Sequence, residues 1–467
     1  MKNIYLNILP FLILFTLLTI FVSNNIFFWD TVQLGAKHGL HFYETGFAEW
    51  LLPDDIDSGH IPVFGMYLAL VWMIFEKSLL VSHLSMLPFL VGIVIQSFYL
   101  VRKYVPQNYL WLAMSIFLFE PTLLGQSVLI SPDIPLVFFF LLALNSILNN
   151  HRFFLLTGIL GLFLISMRGG MLSFALLLLD LFFNYKKFTT HPFITLLKMS
   201  WSYLPGFILF CIYNYVHYSQ KNWIGYHAES PWASSFQHVG YAGILKNIIV
   251  LAWRLLDFGR VFLWIAGLLL AFGYFSRYSK DNKLKELVII FLVILTSSSV
   301  SFLLYKGLNA HRYILPAYLT FALLVIYMLF NSDIVKKTWI GILLCIGLLS
   351  GHLWVYPSNI SQGWDASLAH LPYYGLREKI LSDMKAQNIE VDEVACVFPN
   401  QSQKRFMDLS NSMDQHTSFD HNKSKYVLYS NVYNDFTDED VKMLAEQYKV
   451  LIHLQNMEVF MTLYERK

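Results

Sequence analysis

Carboxylates, histidines and arginines are scarce in this 467-residue chain, and chemistry is expected where they stand at the edges of its apolar runs. Asp30 follows Trp29 in NNIFFWDTVQL, Asp57 and His60 lie in DSGHIP, and Asp133 lies in SPDIP. Arg168 sits in LISMRGG, while His311, Arg312 and Tyr313 open HRYILP. A carboxylate in such a place takes a proton from a hydroxyl or holds a cation; an arginine offers its donor fork to a phosphate. Each residue alone also has a plainer reading. Asp30 with Gln33 three positions on is a capping-box pattern, and Asp133 suits the start of a helix opening at Ile134-Pro135. His60 fits a solvent-facing turn, and Arg168 fits a side chain snorkelling to an interface.

The elements that position these residues are apolar. The chain is 56% hydrophobic and only 14% charged, with a mean hydropathy of +0.51, whereas soluble domains carry about 25% charged residues. Runs near the ~20 residues needed to cross a bilayer recur along most of it. The fold class expected is therefore mainly α, a polytopic transmembrane helical bundle. A net charge of +2 gives no basic surplus for nucleic acid. Cys211, Cys345 and Cys396 are too far apart in sequence to indicate a disulfide framework or a thiolate metal site.

Lysines and arginines cluster at Arg102-Lys103, His151-Arg152, Lys186-Lys187, Arg277 to Lys285 and Lys336-Lys337, and the positive-inside rule assigns these loops to the cytoplasm. Spans at 6–28, 80–101, 108–128, 134–149, 153–167, 170–185, 196–216, 258–275, 287–305, 312–330 and 338–356 satisfy that rule. These roughly eleven helices put the N-terminus in the cytoplasm and the C-terminus outside. The first run lacks a signal-peptide cleavage pattern and reads as a retained span. Ile61 to Phe75 is too short for a span and is expected to be an interfacial or re-entrant helix inside a large first external loop, 29–79. Further external loops cover 120–133 and 217–254. The aromatics of the latter, Tyr213, Tyr215, Tyr218, Trp223, Tyr226, Trp232, Phe236 and Tyr241, read better as an interfacial belt than as a sugar platform. Residues 1–356 thus form the membrane domain, and polar residues 357–467 a small extracytoplasmic α/β domain. In it, Thr437 with Asp440 opens a helix, and KYVLYS, KVLIHL and EVFMTLYE read as strands.

This topology brings the candidate residues to one face. Two external loops each present an acid at a helix start, with basic residues available for an anionic group at the membrane surface. That suits an enzyme whose substrate has a lipid tail in the bilayer and a phosphate at its surface. The alternative is a transporter or flippase of a lipid-linked saccharide, which should carry ionisable residues near the midplane in broken helices, often in repeated halves. No internal repeat is visible. A scaffold presenting the C-terminal domain would leave the acids at two loops without a task.

FFWDTVQLGAKHG through DSGHIPVFGMYLALVW, then SPDIPLVFFFLLAL and HRYILPAYLTFALL, follow a recognisable order: span, Trp-Asp, an external loop ending in Gly-His-x-Pro, then an apolar helix. In this order and spacing the chain, over residues 10 to 330, resembles the GT-C membrane glycosyltransferases. The resemblance is to the bacterial branch related to protein O-mannosyltransferases and to the aminoarabinose transferase of lipid A. It implies that Asp30 is the catalytic carboxylate, that Asp133 is the second acid, and that His311, Arg312 and Tyr313 lie near the donor phosphate. It also implies that Arg168 takes an anion-binding role filled by a lysine in many relatives.

The implied reaction moves a sugar from a polyprenyl-phosphate donor to a hydroxyl of a glycan, lipid or protein, outside the cytoplasmic membrane and with inversion. The donor leaves as an ionised phosphate, so one general base suffices, unlike hydrolysis of an ordinary glycoside with its two carboxylates. The scheme requires no cofactor. A divalent cation, magnesium or manganese, held by Asp30, Asp133, Asp57 and His60 stays an option, although no compact ligand motif marks it. Asp30 is followed by Thr31 and His60 by Ile61, where relatives commonly show an Asp-Glu pair or two prolines. The resemblance therefore fixes neither acceptor class nor metal.

Overall fold

The structure, a computed structural model, describes residues 2–228, 233–274, 280–357 and 360–467. Trp232 and Arg277 lie outside the described residues. Among the described residues, four helices are long and apolar enough to cross a membrane: Leu79–Tyr104, Pro192–Lys221, Asn282–Leu304 and His311–Phe330. A fifth candidate is the pair Tyr241–Leu256 and Arg260–Tyr274, bent by 90°. The eleven expected spans are not shown: some of the others correspond to helices shorter than a span, such as Asp133–Asn149, Arg152–Ile165 and Lys337–Leu353. The run expected as one helix over 108–128 is instead two, Leu110–Leu118 and Pro121–Ser127. Pro121 cannot donate to the preceding turn, and the Glu120 carboxylate accepts the Leu123 N–H at 2.7 Å, starting a new helix there. The short apolar segment of the first loop folds as Val63–Ile74.

Burial sorts these helices. In Pro192–Lys221 only 28% of the apolar window is buried, so most of its side chains are left for lipid, whereas 94% is buried in His311–Phe330. Every residue from Leu315 to Phe330 is buried. A helix that is apolar all round and covered all round is a central post, and its N-terminal turn carries His311, Arg312 and Tyr313.

Several basic loops gather at the opposite end of the bundle. There Lys103 lies 3.4 Å from Glu286 and donates to the Leu148 carbonyl, Arg152 pairs with Asp180 at 2.5 Å, and Lys187 donates to Asn150. Bundle ends of opposite character follow: one basic, one built from the loops that carry the candidate residues.

The C-terminal region holds a second hydrophobic core under a mixed five-stranded sheet. Strands β1 (Val394–Cys396), β2 (Thr417–Ser418), β3 (Tyr426–Ser430), β4 (Tyr448–Asn456) and β5 (Val459–Arg466) stand in the order β2-β1-β3-β5-β4. β1 runs parallel to β2 and β3, while β5 is antiparallel to β3 and β4. Helix Pro372–Ala386 covers β4 and β5, and helix Asp438–Gln447 opens on the Thr437–Asp440 capping box.

The two regions are joined through Phe28. Its side chain is fully buried in the C-terminal core, its ring 4.5 Å from that of Tyr373. Truncating a buried phenylalanine costs about 3–5 kcal/mol. Phe28→Ala is therefore expected to loosen the C-terminal region first, read as faster cleavage within 357–467 by limited proteolysis in detergent; an unchanged cleavage rate would show that this contact is not the tether.

Candidate active site

The described loops at the non-basic end enclose a cavity of about 1120 Å³. Asp30, His60, Asp133, Arg168, His311, Arg312 and Tyr313 all line it, and Asp57 does not. Its walls come from the first loop, the 126–133 turn, the start of Met167–Phe183 and the start of the central helix, with residues 361–365 and the C-terminal region closing it.

Asp30 owes its direction to a strained turn. Trp29 adopts φ +53, a left-handed conformation uncommon for a bulky residue. It is held there by Phe28 on one side and the His370 ring at 5.1 Å on the other. The Thr31 hydroxyl accepts the Phe28 N–H at 2.8 Å and donates to the Phe28 carbonyl. Local bonding is thus done by Thr31, and the Asp30 carboxylate reaches Arg312 rather than its own helix start. The following turn, Val32–Lys37, is a wide π-type turn, a form frequent at functional sites.

Arg312 is the hub. Its guanidinium contacts Asp30 and Asp365 and lies 3.6 Å from Asp133. Arg168 pairs with the other oxygen of Asp133 at 2.7 Å and lies 4.5 Å from the centre of the Tyr313 ring. The Ser166 hydroxyl caps the helix carrying Arg168 by accepting its N–H. The Ser131 hydroxyl accepts the Asp133 N–H and sits 2.7 Å from the Gln126 side-chain oxygen, while Gln126 donates to Asp365 at 3.2 Å. Gly125 permits this closure, because a Cβ there would sit 2.8 Å from the Asp365 carbonyl oxygen. Arg312, Asp133, Ser131, Gln126 and Asp365 therefore form a closed ring of polar contacts, with Asp30 attached at its cavity edge.

His60 faces the same cavity with a buried Nδ1 that has no hydrogen-bond partner. Burial, reinforced by the charge of Arg168, holds its imidazole down at about 4, so it is neutral at physiological pH. Asp57 serves the loop instead: its carboxylate lies 3.0 Å from His217 Nε2 and 3.2 Å from Lys221, and accepts the Gly59 N–H at 2.8 Å. Gly59, at φ +72, lies so close to the 225 carbonyl that no Cβ fits. This pins the first loop to the end of Pro192–Lys221 and sets His60 in place. His311 is buried and lies 2.8 Å from Asp257, which Tyr356 also contacts. Among the described residues no three His, Cys, Asp or Glu side chains gather closely enough to hold a metal ion.

No sequence pattern singles out Asp365 or the Glu120–Arg260 pair at 2.5 Å that braces the helix break. The one mark on Asp365 is that Trp364-Asp365 repeats the Trp-Asp pair at 29–30, and these are the two such pairs in the chain.

No family model and no curated protein matches the chain. Two solved structures are similar to it, both of ArnT from Cupriavidus metallidurans. One has undecaprenyl phosphate bound (10% identity, TM-score 0.48) and one is the apo state (11%, 0.46); each similarity covers 97% of both chains.

The charges make a test possible. Burial pushes the Asp30 carboxyl up against the pull of Arg312, while for Asp365 burial also pushes up but is overcome by the Arg312 charge and hydrogen bond together with the His311 and His370 rings, so its carboxyl is held down. A raised folded value favours folding below the ordinary 3.8 and loses that contribution as pH rises through the raised value; a depressed one stabilises above 3.8 and fades as pH falls through the depressed value. At pH 7, Asp30→Asn is expected to melt no lower than wild type. Asp365→Asn, which breaks a buried pair, is expected to cost about 3 kcal/mol, a difference that closes as pH drops below the carboxylate range. Thermal unfolding in detergent across pH checks both.

Proposed function

We propose that this chain is an integral membrane glycosyltransferase that moves one sugar from a polyprenyl-phosphate donor to an acceptor hydroxyl, with inversion. The observation that carries the reading is the single cavity in which an acid of raised affinity for protons, Asp30, adjoins two arginines, Arg168 and Arg312. With the basic end of the bundle in the cytoplasm, the cavity opens on the extracytoplasmic side, and the N-terminus is cytoplasmic. The reading rests on this chain's own side chains.

In the reaction so assigned, the acceptor oxygen bonds to the anomeric carbon as the bond from that carbon to the phosphate oxygen breaks. The acceptor proton passes to Asp30, and the polyprenyl phosphate leaves with the electron pair. Arg168 and Arg312 neutralise the phosphate, with Tyr313 between them fixing their planes. Arg312 already holds three carboxylates, so an arriving phosphate has to displace one. Asp30 is the readiest to leave, because its side chain is 30% exposed to the cavity, against 4% for Asp133 and 11% for Asp365. Donor binding then frees the base it needs. Asp133 and Asp365 stay behind to hold Arg312 in place, and neutral His60 is left to hydrogen-bond the sugar or the acceptor.

Loss of a general base costs about 10²–10⁴-fold. With radiolabelled polyprenyl-phosphate sugars and membranes as the acceptor source, Asp30→Asn is expected to lose transfer by that factor while still binding polyprenyl phosphate. Arg312→Lys, which loses the fork but keeps the charge, is expected to weaken both donor binding and turnover. Transfer by Asp30→Asn at the wild-type rate would remove Asp30 as the base. Passage of unconsumed lipid-linked saccharide across the bilayer would replace transfer with transport.

A further inference from the structure

The cavity is chemically divided, and the division lies between the membrane region and the C-terminal region. Arg168 and Arg312 stand on the membrane side. On the roof, the C-terminal region contributes Gln401, Gln403, Gln415, Asn434 and Asp435, with the rings of Phe398 and Tyr433 beside them. Among the described residues from 398 to 435 that line the cavity, Asp435 is the one carboxylate. It lies close enough to Asp30 for that charge, added to burial, to push its carboxyl up.

The roof segment is bolted down where it does not face the cavity. Arg405 pairs with Glu44, Met407 accepts the Phe27 N–H at 2.8 Å, and Lys37 sits 5.6 Å from the centre of the Phe406 ring. Backbone bonds from Lys404 to Asp414 and from Arg405 to Ser412 close the loop on itself. The segment thus spends Arg405, Phe406 and Met407 on anchoring. The neighbouring Gln403 and, across the loop, Gln415 make no side-chain hydrogen bond among the described residues. Side-chain amides carry both donors and acceptors, as a ring of sugar hydroxyls requires, and aromatic faces beside them supply apolar contact for the sugar ring. Lys404 and Arg405 of this loop do not line the cavity, and Lys37, which does, is stacked on Phe406; a rigid loop that turns unpaired amides to the cavity favours an uncharged, hydrogen-bonding ligand over an anionic one.

We propose that this roof is the acceptor subsite, and that it takes an uncharged, hydroxyl-rich saccharide. The proposal deepens the glycosyltransferase reading and rests on it for the identity of the opposite, phosphate-binding side. The C-terminal region is thereby a selector of acceptor rather than a cover: phosphate-bearing glycans are turned away by Asp30 and Asp435, and neutral ones are met by the amides.

The test uses the full chain in lipid nanodiscs and saturation-transfer NMR. The probes are two uncharged trisaccharides, one of N-acetylhexosamine and one of plain hexose, each also as its phosphomonoester. Binding of polyprenyl phosphate is measured on the same samples. At least one uncharged trisaccharide is expected to bind, its phosphomonoester about tenfold or more weakly. The double variant Gln403→Ala/Gln415→Ala is expected to weaken the uncharged one about tenfold, the effect of one or two lost hydrogen bonds, with polyprenyl phosphate binding unchanged. Equal or tighter binding of the phosphomonoester, an unaltered affinity in the double variant, or no binding of either trisaccharide would overturn the subsite. Trisaccharide binding without polyprenyl phosphate binding would instead sink the donor assignment and leave the subsite standing.

Discussion

One guanidinium held by three carboxylates is the constraint on which the rest depends. Arg312 touches Asp30, Asp133 and Asp365, residues delivered by three separate stretches of chain. A buried charge left unpaired costs several kcal/mol, so the first loop, the 126–133 turn and the segment after the last apolar helix are each obliged to meet at this point. With Arg168 added, three carboxylates face two guanidiniums. The cluster thus carries a formal deficit of one positive charge before any substrate arrives, and a phosphate entering it has to compete for arginines already taken.

The architecture keeps that hub still. Arg312 stands on the first turn of the most buried of the four long apolar helices among the described residues, and Gln126 and Ser131 tie Asp365 to Asp133 around it. Asp30, by contrast, is presented by a left-handed residue on a turn whose neighbour, Phe28, is plugged into the C-terminal core. The ring is closed on itself and Asp30 is attached at its edge. In the proposed reaction this difference lets the donor displace Asp30 rather than dismantle the ring, and the residues that anchor the C-terminal loop to the first loop set the distance between that loop and Asp30.

Much of this was legible in the sequence because a membrane leaves few places for charge. Asp30, Asp133, His60, Arg168 and Arg312 stand out at the ends of apolar runs, and all five line one cavity. Asp57 stands out equally but turns away, since its partner His217 lies 160 residues further on and no spacing rule connects them. Asp365 escaped notice because it lies in a polar segment where one more acid is unremarked, although the preceding tryptophan marked it. The helix break at Glu120-Pro121 was hidden inside a run that is otherwise apolar; the Glu120 carboxylate caps the new helix and pairs with Arg260, a partner 140 residues further on. The strands and the Thr437 cap of the C-terminal region were visible because alternation and capping are local; that its loop roofs the cavity is a tertiary fact.

The most direct test of the central claim is an experimental structure of the chain in nanodiscs with polyprenyl phosphate bound. The account predicts the phosphate within hydrogen-bonding distance of Arg312 and Arg168, Asp133 and Asp365 still in place, and the Asp30 carboxylate released into the cavity. A phosphate bound elsewhere, with Asp30 still paired to Arg312, would contradict it.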